Sequence, residues 1–193
     1  MTTRHSELAL VLICVNVDGV LYLLFHRHRK WGDWSLVGGH VEAGEEGDWL
    51  GTAMREAGEE LAPLQPRIDF VVEPLSMDAL KWGPVPSRAK NNVPTVYAVK
   101  YYWLRFLADP ATALGRLDPR EFALIRLDDL ESSRATISVS DTFERFAATL
   151  GSHLRNLPCS WPTPIHAASL PGPLERVVHN ESWSPRPPKV AAR

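Results

Sequence analysis

The sequence predicts an α/β domain, with a mixed β-sheet between helices, ahead of a C-terminal tail at residues 156–193. Three observations carry this: β-rich runs separated by turn signals, a helix-period segment in the middle of the chain, and a second one beginning near residue 140. At 193 residues the chain can bury a substantial core, and one domain is the expected count.

Residues 8–17 and 20–25 flank Asp18-Gly19, a strong hairpin signal between two β-rich runs. The first run, with Arg4 ahead of it, has the size of a signal-peptide core, but its continuation through a hairpin favours two strands. No apolar run reaches membrane-spanning length. Residues 34–37 read as a strand running into Gly38-Gly39. Leu50, Met54, Ala57 and Leu61 then recur at helical period, with Asp48 as N-cap and Pro63 as terminator, because proline lacks an N–H and pushes Ala62 out of the helical region.

Residues 68–72 and 94–107 read as strands, with residues 73–93 as a loop rich in proline and asparagine. That loop carries Lys81, Trp82 and Arg88. It is either a substrate loop, with cations for phosphate and Trp82 stacked on a ring, or an exposed loop whose Trp82 folds back onto the core. Residues 122–127 read as a strand, and 140–153 as a helix with Phe143, Phe146, Leu150 and Leu154 along one side. Beyond, residues 156–193 are expected to be an irregular Pro-rich tail, dispensable for chemistry. Trp161 or Trp183 could dock it on the domain or mediate a homodimer contact.

A net charge of −2 and a pI near 6.4 give no global attraction to nucleic acid or an anionic membrane. Cys14 and Cys159 form no metal-spaced or redox motif, and a reducing cytoplasm is the default setting.

The chemistry concentrates in Arg55-Glu56-Ala57-Gly58-Glu59-Glu60. Glu56, Glu59 and Glu60 stand at i, i+3 and i+4, neighbours on a helix, and repel unless solvent or a cation takes up the charge. Oxygen ligands of this kind suit Mg²⁺ or Mn²⁺. The apolar stripe places these acids off the buried face. Arg55 is better aimed at Glu45 or Glu42 in the preceding loop, where a bidentate contact ties loop to helix, than at Glu59. Three acids on a helix are by themselves usually a solvated face. Arg55, the double glycine and the loop glutamates set this segment apart.

Gly38-Gly39-His40-Val41-Glu42-Ala43-Gly44-Glu45 followed by Arg55 to Glu60 resembles the Nudix box, whose usual pattern is G-x5-E-x7-R-E-U-x-E-E-x-G-U with U a bulky apolar residue. The spacing from Gly39 to Glu45 fits. From Glu45 to Arg55 there are two residues more than the pattern, an extra pair placed near residues 46–48. Ala57 stands where U is larger, Ala62 where the pattern has Gly, and Pro63 at the final U, while every charged position is kept.

The resemblance implies the Nudix α/β/α sandwich with a mixed sheet over residues 5–155. It also implies divalent-metal-dependent hydrolysis of a phosphoanhydride bond in a nucleoside diphosphate linked to another group. By position, Glu56, Glu59 and Glu60 match the family's metal-binding glutamates, the Gly39 carbonyl adds a ligand, and Glu56 or Glu60 serves as base. A further acid often precedes the strand found here at residues 122–127, which singles out Asp118 and Glu121. No role is assigned to His28 or His40. Signatures of coenzyme A or NADH diphosphatases and the dinucleoside-polyphosphate tyrosine are not visible, and Pro74 only loosely matches the proline of ADP-ribose hydrolases. Nucleoside triphosphates, oxidised nucleotides and nucleotide sugars stay open. The alternatives are a nucleotide-binding regulatory module, which would often lose the box acids, and an isopentenyl diphosphate isomerase, whose cysteine context Cys14 and Cys159 do not reproduce.

Overall fold

The computed structural model describes residues 3–28, 32, 34–87, 90–131 and 158–170. Strands β1 (Arg4–Leu12) and β2 (Cys14–Val17) form one run broken only at Ile13, whose carbonyl accepts from the Leu24 N–H at 2.9 Å. Asp18 and Gly19 both adopt positive φ, closing the hairpin to β3 (Val20–Arg27). Next come β4 (Trp34–Ser35) and β5 (Val37–His40), then helix α1 (Trp49–Glu60). The chain continues through β6 (Phe70–Pro74), β7 (Leu80–Ser87), β8 (Val93–Phe106), α2 (Pro110–Leu114), β9 (Phe122–Arg126) and α3 (Leu127–Glu131).

Two sheets share the β1–β2 run. The first has order β5-β1-β8-β6, with β7 also on β8; β1 and β8 run parallel and every other pair antiparallel, so the sheet is mixed. The second joins β2, β4 and β9 to β3. Along the shared run the side chains alternate: Ala9, Val11, Ile13 and Val15 enter the core with α1, while Leu12 and Cys14 enter a second core with Tyr101 and Ile125. This period-2 division buries the run on both faces and fixes its register.

Two sequence expectations are corrected. Of the expected stripe on α1 and its C-cap, Met54, Ala57 and Leu61 pack in the core, but Leu50 is 41% exposed and Trp49 and Ala53 pack there instead. The two small alanines, Ala53 and Ala57, both 0% exposed, let the helix approach the sheet closely. Residues 80–87, expected within a loop, form an edge strand whose pairing breaks between Trp82 and Val85, around Gly83-Pro84. Prolines are tolerated there because an edge strand leaves alternate N–H groups unused. The helix expected at 140–153 lies outside the described residues.

Of the tail, residues 158–170 are described. Residues 158–170 have little regular structure beyond a single 3₁₀ turn, Ala167–Ser169, yet they are bound to the domain. Ser160 exchanges bonds with Cys14: its N–H donates to the Cys14 carbonyl at 2.6 Å, and its Oγ accepts from the Cys14 N–H at 2.9 Å. Ile165, 6% exposed, donates from its N–H to the Asn16 carbonyl at 2.8 Å, and its own carbonyl accepts from the Asp18 N–H at 3.0 Å. Truncation after Asn156 is therefore expected to cost about 3–6 kcal/mol, from one fully buried aliphatic side chain and several hydrogen bonds near 1 kcal/mol each. Thermal unfolding of the shortened chain measures it, and an unchanged midpoint would show these contacts to be idle.

Candidate active site

Helix α1 starts where the Asp48 side chain accepts from the Gly51 N–H at 2.8 Å, and its last turns lie against β5. Gly38 has φ +136, and a Cβ there would run into the Ala9 carbonyl of β1. Its N–H donates to Glu60 Oε2 at 2.9 Å. A Cβ on Gly39 would occupy the space of the Glu56 carboxylate. The two glycines thus open a groove into which Glu56 and Glu60 fold, with side chains only 16% and 20% exposed, while Glu59 is 62% exposed. The expectation that all three acids lie away from the packed face holds for Glu59 alone.

Arg55 ties the preceding loop to the helix. Its Nε and Nη2 donate to the two oxygens of Glu45, each at 3.3 Å, the bidentate contact its spacing suggested. Nη1 donates to Glu56 Oε1 at 2.9 Å and lies 3.6 Å from Glu59 and 4.0 Å from Glu42. Nη2 also reaches the His40 carbonyl at 3.3 Å. The Arg55 bond, backed by Glu42's backbone, holds the Glu45 carboxyl below its usual range. Glu56 goes the other way: burial raises its carboxyl, the charges of Glu60 and Glu59 add to the rise, and Arg55 only partly opposes it.

The description of the NUDIX domain matches residues 5–145. The chain belongs to the Nudix family. Among solved structures, the C. elegans Ap4A hydrolase is similar to it at 20% identity and TM-score 0.51, over 76% of this chain and 99% of that one. The NUDIX domain of Shewanella oneidensis NrtR complexed with ADP ribose is similar at 14% identity and TM-score 0.43, over 81% and 90%. The Nudix hydrolase RenU from M. smegmatis is similar at 16% identity and TM-score 0.44, over 82% and 92%. The first likeness shows the shared fold. No curated protein matches the chain.

Within the Nudix box, the two-residue excess is absorbed before α1: Gly47, at φ +85, turns the chain into the Asp48 cap. Among the described residues, no three His, Cys, Asp or Glu side chains form a ready-made metal cage. The donor set nonetheless fits a hard dication. Every candidate is an oxygen, Glu56 carries a charge that its surroundings disfavour, and Mg²⁺ needs only one or two carboxylates beside water and substrate phosphate.

The other predicted site residues divide. Lys81, on β7, lines a cleft of about 400 Å³ together with Arg4, Ser6, Glu42 and Glu46, directly beside the box loop. Trp82 stacks on Tyr97 at 5.1 Å and 21° and packs against the second core, so it folds back onto the domain. Arg88 lies outside the described residues. Asp118 turns to its neighbour Arg120 at 3.0 Å. Glu121 stands just before β9, its carbonyl accepting from the Arg27 N–H at 2.7 Å.

Two histidines enter: His40, which the sequence left without a role, and His26, which it did not single out. His40 Nδ1 lies 2.8 Å from Ser6 Oγ, and desolvation of its ring, aided by nearby Arg4, lowers its pKa. His26 lies against Glu60 from the other sheet. The position of His40 next to the glycine pair was visible in the sequence; the proximity of His26 depends on how β3 packs under α1, which no spacing reveals.

Proposed function

We propose that this chain is a cytoplasmic pyrophosphohydrolase that cleaves, with Mg²⁺ or Mn²⁺, a phosphoanhydride bond in a nucleoside diphosphate linked to another group. The observation that carries the reading is the folding of Glu56 and Glu60 into the glycine groove while Arg55 braces the loop acids around them. Charges this close are retained where a cation and a polyanionic substrate balance them. Glu56, Glu59, Glu60 and the Gly39 carbonyl would hold the ion, which neutralises phosphate charge when bound.

The residues of the chain then have distinct tasks. A carboxylate of the set, Glu56 or Glu60, takes a proton from water as its oxygen bonds to phosphorus, and the bridging P–O bond breaks to leave the second phosphate. Gly38 holds Glu60 by its N–H, and Arg55 holds the loop. Arg4 and Lys81, in the adjoining cleft, are placed to receive the anionic remainder of the substrate.

The test is a panel of nucleoside triphosphates, oxidised nucleotides, nucleotide sugars, ADP-ribose and dinucleoside polyphosphates, assayed with Mg²⁺ and Mn²⁺ for phosphate, pyrophosphate or nucleotide release. One class is expected to be hydrolysed, and chelation is expected to abolish the reaction. Tight binding of a nucleotide with no turnover across the panel would instead favour a regulatory module.

A further inference from the structure

Arg55 pairs with Glu42, Glu45, Glu56 and Glu59, and among the described residues no ion pair joins it to Glu60. Glu60 is supplied from elsewhere. Its Oε2 accepts from the Gly38 N–H, and its Oε1 lies 3.5 Å from Nδ1 of His26. The His26 side chain is only 6% exposed, and its Nδ1 makes no hydrogen bond among the described residues. A buried polar atom without a partner is rare and calls for a reason.

The ring is also held in place. His26 pairs along the backbone with Ser35 on one side and Phe122 on the other, and the Phe122 ring packs on the imidazole at 5.1 Å. A phenylalanine would fill the same space without stranding a polar atom. The nitrogen instead faces the one helix glutamate of the box that Arg55 does not pair with among the described residues.

We infer that His26 is a positioning residue for Glu60: its Nδ1, set by β3 at 3.5 Å from Oε1, orients that oxygen while the Gly38 N–H of β5 holds Oε2. The inference rests on the reading of Glu60 as a member of the metal-binding set. Two oriented oxygens would set the carboxylate plane, and each would keep a second lone pair with which Glu60 could help hold a dication. Partners that orient a ligand in this way typically govern metal affinity and turnover by about 10- to 100-fold.

The test compares wild type, His26→Phe, His26→Asn and Glu60→Gln. Mn²⁺ binding is read by electron paramagnetic resonance without substrate, and kcat and KM are read on the panel's best substrate. His26→Phe is expected to weaken Mn²⁺ binding and lower kcat by about 10- to 100-fold, with KM near wild type and no loss of thermal stability. His26→Asn, which restores a donor, is expected to recover part of both. Wild-type Mn²⁺ affinity and kcat in a folded His26→Phe protein would overturn the inference alone. A wild type that neither binds Mn²⁺ nor hydrolyses anything would overturn the functional reading and the inference with it. Should His26→Phe not fold, ¹⁵N resonances of the wild-type ring decide: protonation at Nδ1 with a shift on Glu60→Gln supports the contact, and an unprotonated Nδ1 defeats it.

Discussion

Glu59→Gln and Glu60→Gln are each expected to lower turnover by about 10²- to 10⁴-fold while the protein stays folded. Glutamine is nearly isosteric, and its amide oxygen can still accept from the Gly38 N–H that holds Glu60 Oε2. The fold therefore loses little, and the loss falls on the charge available to a dication. Glu60 is expected to be the more sensitive position, because its side chain is 20% exposed and accepts from the Gly38 N–H, whereas Glu59 is 62% exposed and can be replaced in part by water. Steady-state kinetics across a Mg²⁺ titration, with far-ultraviolet circular dichroism to check folding, separates these effects. Chelation by EDTA is expected to abolish activity and added Mg²⁺ to restore it. Full turnover in EDTA, or in both variants, would remove the metal site from the account.

The charged half of the site was legible in the sequence because it depends on local spacing. Glu56, Glu59 and Glu60 lie within little more than one turn, and Arg55 needed only the nearby loop to find Glu45. The hairpin at Asp18-Gly19 and the cap at Asp48 were legible for the same reason. What depends on packing was not. Leu50 and Trp49 are adjacent, and only contact with the sheet decides that Trp49 turns inward. Prolines at 84 and 86 argue against a strand until β8 offers an edge. Ser160 and Ile165 look like tail composition, yet they bind the β2 strand almost 150 residues earlier, at Cys14 and Asn16. His26 belongs to this second group, since its neighbour Glu60 comes from an element 34 positions on.

Arg55 and Gly38 together explain how so many acids persist without unfolding the segment. The opposite charge of Arg55 at Glu45 and Glu56, with the Gly38 N–H at Glu60, offsets repulsion that the helix alone would not bear. Surface ion pairs of this kind contribute little individually. Their value here is geometric: each fixes where a carboxylate points.

The glycine pair gives the sharpest division between fold and chemistry. Gly38→Ala is expected to destabilise the protein by about 2–5 kcal/mol, since the new Cβ meets the backbone of Ala9 and Leu10 and the φ of +136 is foreign to an L side chain. Neither obstacle can relax without shifting β1. Gly39→Ala meets only the end of a flexible side chain, the Glu56 carboxylate. That carboxylate can swing away, so stability is expected to change by less than about 1 kcal/mol, while turnover falls by about 10²-fold because a ligand or base has moved by the width of a methyl group. Denaturant unfolding and kinetics on the two variants would read the contrast directly. A Gly39→Ala protein with wild-type turnover would mean that the position of Glu56 over the groove is not used in the reaction, and the chemistry would then have to rest on Glu59 and Glu60.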